Sequence, residues 1–361
     1  MWLETGFPQH FVSRSGNDLD FYLRAHSVAA TTYNQYVKAL RKWFTWCQHH
    51  HLPPTLNHLS LTAKVQLITD FVLLGFREGY GSGRPVRSAT ISATLTGIRH
   101  FFIAAGGDFP CGHPQIRMLL KGIGRFDAPV RHKAPVSIHH LELCFASLDL
   151  TLPSDQALWG VLCLAFFFLL RRSEIASLGK GSFAWFVLKA EDIAILAQDG
   201  RPTSSPSAAS AVHIRLSGSK TNQRGDPTLR VLNRSGHRAV CPVFGAMCLL
   251  KARSSLPVNI PAAVYLNECG KPECVSSATV SSTIQRAAAR SGCDPRAFSA
   301  HSLRAGGATH MYRAGVDTLT IQFHGRWASD TFKQYTRLCK ESVSSLASKI
   351  VSGSKHMSNL Q

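Results

Sequence analysis

Four short stretches of the chain gather side chains able to hold an anion, carry a proton or act as a nucleophile. The first is Leu169-Leu170-Arg171-Arg172-Ser173-Glu174-Ile175, where an apolar run hands over directly to two arginines. A guanidinium delivered by an apolar segment needs an anion to offset its desolvation. Glu174 is one such anion within the chain, and a bound ligand would be another. The second stretch, Ser219-Lys220-Thr221-Asn222-Gln223-Arg224-Gly225, is a polar turn between two strand-like runs. Lys220 there is either a solvated surface cation or a charge aimed at a ligand. In the third, Ala300-His301-Ser302-Leu303-Arg304-Ala305-Gly306-Gly307-Ala308, His301 and Arg304 fall on one face at the start of a helix. Such a pair can grip a phosphate, with the arginine as a bidentate fork and the histidine as a proton carrier. A structural role fits it equally, and the small residues that follow allow close helix packing. The fourth runs from Gln322-Phe323-His324-Gly325-Arg326-Trp327 through Ala328-Ser329-Asp330-Thr331-Phe332-Lys333 to Gln334-Tyr335-Thr336-Arg337. It is a donor-rich turn followed by a tyrosine on a basic helical segment. A tyrosine with an unperturbed pKa near ~10 is a poor nucleophile at neutral pH unless cations and a base favour its phenolate.

These stretches need a scaffold, and the apolar periods outline one. Residues 1–26 show no sustained period and form an N-terminal arm. From Thr31 the pattern turns helical, with Tyr36, Leu40, Trp43, Phe44 and Cys47 on one face and Lys38, Arg41 and Lys42 elsewhere. Pro53-Pro54 stops that helix. Further faces follow at Val65, Ile68, Phe71 and Val72, then at Ile91, Leu95, Ile98 and Phe102, with a shorter helix from Pro114 to Gly122. Residues 27–125 thus read as a small helical bundle. Residues 126–136, with two prolines, three basic residues and no apolar period, read as a linker. Residues 137–345 read as a second domain and 346–361 as a tail. In the second domain, helices are expected at 141–148, 154–170, 243–253, 277–291, 302–314 and 328–340. Strands are expected at 183–187, 212–216 and 229–232. The fold class is mainly α: an N-terminal helical bundle, then an α+β domain with a small antiparallel sheet.

Charge narrows the partners. Lys and Arg number 40 against 21 Asp and Glu, a formal net charge of +19 at pH 7. Such a field favours polyanions, either nucleic acid or an anionic membrane surface. The longest apolar run, Ala157 to Leu170, is too short to span a bilayer and reads as a buried helix, so no membrane partner is expected. Met1-Trp2-Leu3-Glu4 does not begin a secretory signal. The 10 cysteines lack framework spacing and several sit in apolar stretches, which suits reduced thiols in an intracellular protein. Cys269 and Cys274 have no second pair to complete a zinc site. Basic residues crowd the bundle: Lys38, Arg41, Arg84, Arg87, Arg99 and Lys121 are candidates for phosphate-backbone contact, and Arg326 joins them from the second domain. The alternative for each is a solvated surface position. There is no Gly-rich nucleotide loop and no carboxylate cluster fit for two metals, so neither ATP nor metal is expected as a cofactor.

In order, Arg-x-Ser-Glu, a turn lysine, His-x-x-Arg, Gly-Arg-Trp and a following tyrosine resemble the tyrosine recombinases, the phage integrase-like family. The resemblance covers roughly residues 137–345, and the bundle at 27–125 looks like that family's core-binding, SAM-like domain. The Gly-Arg-Trp version and the Ser-Lys-Thr turn look most like recombinases of eukaryotic mobile elements, which implies a nuclear location if the source is eukaryotic and a cytoplasmic one otherwise. The resemblance implies DNA breakage and rejoining through a covalent 3′-phosphotyrosine. Arg171 and Arg304 would bind the non-bridging oxygens of the scissile phosphate. Lys220 would protonate the leaving 5′ oxygen, His301 would assist proton transfer, and Tyr335 would attack. The family has His or Trp directly after the glycine, where this chain has Arg326. Trp327 is favoured for that hydrogen-bonding role, with Arg326 and His324 as the other candidates. The resemblance further implies a clamp on double-stranded DNA and a homo-tetramer on paired sites, joined through a C-terminal segment for which Val343, Leu346 and Ile350 are candidates. Two other functions share these residues: DNA relaxation of the type IB topoisomerase kind, and DNA binding by a mobile-element relic that has lost catalysis.

Overall fold

The computed structural model describes residues 16–129, 132–179, 181–219, 222, 225–329 and 332–333. The chain divides into two units, Met1–Val130 and Arg131–Gln361.

The first unit is helical: α1 (Gly16–Ala25), α2 (Ala30–His49), α3 (Leu61–Glu78), α4 (Ser88–Ala104) and α5 (Pro114–Phe126). Its core forms around the fully buried Trp43, which meets Phe71 and Phe109 edge-on with ring centroids 5.2 Å away in each case. The apolar faces read from the sequence are buried at Val65, Ile68, Phe71 and Val72 on α3 and at Ile91, Leu95 and Ile98 on α4; on α2 Trp43 and Cys47 are buried, whereas Phe44, read onto the same face, is exposed. Local signals set the ends. The Ser60 side chain accepts from the Ala63 amide at 3.2 Å to start α3, and Gly79, at φ 62°, ends it in the left-handed region. The Asp127 carboxylate closes α5 back onto α4 by accepting from the Ser88 amide at 3.1 Å. Helix α1 lies where the sequence shows no apolar period. It is anchored from outside: the Ala25 carbonyl meets His100 Nε2 at 2.7 Å, and His26 stacks between Tyr22 and Tyr33. Lys38, Arg41, Arg84, Arg87, Arg99 and Lys121 are all exposed on this unit.

The second unit contains α6 (Ile138–Phe145), α7 (Pro153–Phe167), α8 (Arg172–Ile175), β1 (Ile193–Ala197), β2 (Ala209–Leu216), β3 (Thr228–Asn233), α9 (Pro242–Lys251), β4 (Val264–Leu266), β5 (Pro272–Cys274), α10 (Ser277–Arg290), α11 (His301–Arg313) and α12 (Thr318–Gly325). Helix α7 is buried from Gln156 to Phe166 and forms the spine of the core. It approaches α9 through two glycines. A Cβ on Gly245 would stand 2.3 Å from that of Cys163, and one on Gly160 would stand 2.5 Å from that of Leu249. Strands β1, β2 and β3 form an antiparallel sheet in sequence order, with Ile193 opposite Ile214 and Ile214 opposite Arg230. Strands β4 and β5 pair separately. The mainly helical architecture with small antiparallel sheets is as the patterning implies. One strand is displaced. Phe183 to Val187 forms a turn, and the first strand begins at Ile193. An unbroken apolar run has no period to distinguish strand from packed turn, and here Phe186, Val187 and Leu188 are buried in succession rather than in alternation.

Candidate active site

The site is assembled where α7 ends. After Phe167 the chain must turn sharply, and Leu169 takes a left-handed φ of 50° while remaining fully buried. A leucine in this conformation is strained. Its carbonyl accepts from Arg304 Nη1, and Arg326 Nη2 lies 3.5 Å away. Two residues later Arg171 caps the short helix α8, and Glu174 folds back onto it. The Glu174 carboxylate accepts from the Arg171 amide and from its Nη1, each at 2.8 Å.

Arg304 comes from α11, which presses against the end of α7 because Gly306 and Gly307 carry no side chains. A Cβ on Gly306 would stand 2.2 Å from the Val136 carbonyl oxygen, and one on Gly307 2.2 Å from that of Phe166. The close helix packing expected from Gly306-Gly307 is therefore present. At 2% exposure Arg304 is a buried cation, so its partners matter. Nη2 donates to the Gly325 carbonyl, and the guanidinium carbon stacks 4.1 Å from the centre of the Trp327 ring. His301, at the first position of α11, is exposed.

The turn after α12 supplies the remaining walls. Gly325 has no room for a side chain because the Trp327 indole occupies that space. Arg326 has φ 56°, the second left-handed non-glycine of the site, and this conformation swings its side chain inward. Its Nη2 donates to Glu174 at 2.9 Å, so one buried carboxylate joins Arg171 and Arg326. Burial alone would raise the Glu174 pKa, but Arg326 and Arg171 outweigh it and hold the carboxyl below its ordinary range. Arg326, grouped by sequence with exposed contact candidates, is thus a buried cation. His324 Nε2 meets the Phe167 carbonyl at 2.7 Å, and burial depresses its pKa, favouring the neutral ring. Trp327 packs with Leu169, Ala308, Ile321 and Phe332 in a cluster separate from the main core.

Arg171, Arg304, Trp327, Arg326 and His324 therefore come together around Leu169 and Glu174. Lys220 and Tyr335 lie outside the described residues, as do Val343, Leu346 and Ile350. The turn that carries Lys220 is closed at its described ends by two backbone bonds between Ser219 and Asn222, at 3.0 and 3.1 Å. Two contributors escape sequence reasoning. The Leu169 carbonyl is one, since no side chain marks it. Arg230 of β3 is the other: its Nη2 donates to the Phe323 carbonyl and so ties the sheet to α12. A basic residue on an edge strand gives no signal of such a contact.

Residues 246–342 match the model of the phage integrase family. No curated protein matches the chain. Among solved structures, the XerH site-specific recombinase bound to a palindromic difH substrate is 14% identical, over 94% of this chain and 86% of that one, with a TM-score of 0.57. A lambda integrase dimer bound to a COC′ core site is 15% identical, over 96% of this chain and 78% of that one, with a TM-score of 0.47. The integrase from mycobacterium phage Brujita is 20% identical, over 91% of this chain and 96% of that one, with a TM-score of 0.34. XerH carries the likeness of fold. The segment 246–342, which takes in part of α9, all of α10, α11 and α12 and the Gly325-Arg326-Trp327 turn, is thus similar to the phage integrase family.

Proposed function

We propose that the protein recombines DNA by breaking and rejoining strands through a covalent link to Tyr335. The observation that supports it most is the convergence of Arg171 and Arg304 beside one buried carboxylate and one strained carbonyl. Guanidiniums held in place before any ligand arrives, one buried and one partly buried, are suited to an anion whose charge grows during reaction. Arg171 and Arg304 bind the non-bridging oxygens of the scissile phosphate. The Tyr335 oxygen forms a bond to phosphorus as the bond from phosphorus to the 5′ oxygen breaks. The phenolic proton leaves toward His301, and Lys220 protonates the departing oxygen. Trp327 braces the Arg304 guanidinium with its ring face. The phosphotyrosine conserves the energy of the diester, so the 5′ hydroxyl of a second strand can reverse the step without ATP or metal. Double-stranded DNA is the partner, with four copies of the chain on two paired sites. XerH, the relative of like fold, is itself bound to a DNA substrate.

A nicked duplex that loses its 5′ fragment on cleavage traps the covalent step. Wild-type protein should become attached to the 3′ end and Tyr335→Phe should not, as read by denaturing electrophoresis. Wild-type protein that binds this duplex but never attaches would point instead to a DNA-binding relic.

A further inference from the structure

Arg326 has no task in the reaction as written above, yet its setting is costly. Its side chain is only 10% exposed. Nη2 is used on Glu174 and the Leu169 carbonyl. Nε and Nη1 are buried with no hydrogen-bond partner among the described residues. An arginine keeps its charge under all ordinary conditions, so leaving two of its nitrogens dry is unfavourable unless an acceptor arrives from outside. The surroundings identify the kind of acceptor. Glu174 is shared between Arg171 and Arg326, and the Leu169 carbonyl between Arg304 and Arg326. Three guanidiniums are therefore locked together through two acceptors, only one of which is charged. Among the described residues, the cations of this group exceed its anions by two.

A phosphodiester carries one negative charge, whereas the five-coordinate phosphorus formed during attack carries two. We infer that Arg326 is a third guanidinium of the phosphate site, a nitrogen left unpartnered here donating to a non-bridging oxygen of the scissile phosphate. The contact strengthens as the second charge develops, which is the condition for accelerating the step rather than merely binding DNA. This rests on the strand-transfer reading above. It also divides the labour within the turn. His324 meets the Phe167 carbonyl through Nε2 and Trp327 lends its ring face to Arg304, whereas Arg326 is the one of the three with buried nitrogens left without a partner among the described residues, which makes it the donor assigned here.

The test compares wild type with Arg326→Gln on two nicked duplexes, one with an ordinary scissile phosphate and one with a neutral methylphosphonate there. On the ordinary phosphate, covalent attachment by Arg326→Gln should slow about 100-fold, the usual effect of losing one transition-state donor. On the methylphosphonate, which lacks one charged oxygen, the loss should shrink to less than about 10-fold by the same reasoning. An equal loss on both duplexes, or none on the ordinary one, overturns the inference while leaving strand transfer intact. Failure of wild type to attach to the ordinary duplex overturns both. Arg326→His, which keeps a donor nitrogen, is measured in parallel should the glutamine variant not fold. It should show a smaller loss with the same dependence on substrate charge, and an equal loss on both duplexes counts against the inference. Equilibrium binding by Tyr335→Phe protein needs no turnover and gives a further readout. Adding Arg326→Gln to it should narrow the preference for the charged duplex, and an unchanged preference contradicts the assignment.

Discussion

Glu174 shows how little of a residue's meaning lies in its immediate neighbours. Its pairing with Arg171 is legible in the sequence, because three residues separate them at a helix start. Its pairing with Arg326 is not, since the two lie 152 positions apart and the contact depends on a left-handed turn that reverses the side chain's direction. The buried carboxylate neutralises part of the charge of two nearly buried guanidiniums. Glu174→Gln should therefore destabilise the protein by about 3 kcal/mol or more, the cost of stripping one partner from a buried ion pair. Urea unfolding at neutral pH measures this. The pH dependence has a definite sign. The carboxyl is held below its ordinary value of 4.5 in the folded chain, so its stabilisation is present above that pH and is lost as pH falls below it. The glutamine variant should accordingly show a flatter acid limb than wild type. Trp327 teaches a related lesson. An indole is legible as a donor, but here its stacking face lies against Arg304, and only the fold shows which face a partner meets.

At the scale of elements, spacing carried α2 to α7 and α9 to α11, whose apolar faces repeat and whose ends have chemical stops, but not α12, and the helix expected at 328–340 lies mostly outside the described residues. It failed at 183–187, where every residue is apolar, and at α1, where the anchoring side chains lie elsewhere in the sequence. The Gly306-Gly307 pair was readable as a packing device, though not what it packs against. Its partners are the Val136 and Phe166 carbonyls, rigid backbone that cannot move aside. Gly307→Ala should thus lower stability by about 1–3 kcal/mol, as overpacking of a dense interior does. It should also slow covalent attachment, because Arg304 lies on the same helix one turn earlier. Thermal unfolding and the nicked-duplex assay read the two effects. Loss of attachment without loss of stability would show that the helix tolerates the methyl by shifting.

Over the whole molecule, five weak motifs in one order identified a family, and a family match and a shared fold bear that out. Order along the chain is readable without coordinates, whereas convergence on Leu169 is not. The net charge of +19, with exposed Lys38, Arg41, Arg84, Arg87, Arg99 and Lys121 on the first unit, calls for binding driven by counterion release. DNA affinity should fall about 1000-fold or more between roughly 50 and 200 mM salt, as for other proteins contacting six or more phosphates. A nearly flat titration would argue that these side chains do not face a duplex. A separate consequence follows from how Trp327 and Phe332 are fastened. They join Leu169, Ala308 and Ile321 in a small group detached from the large core built on α7. Among the described residues this group is what packs around Trp327, so a change that loosened it would release the indole before it disturbed the larger core. Letting go of Trp327 would also unseat Arg304, which makes anchoring and arming of the reactive centre a single event.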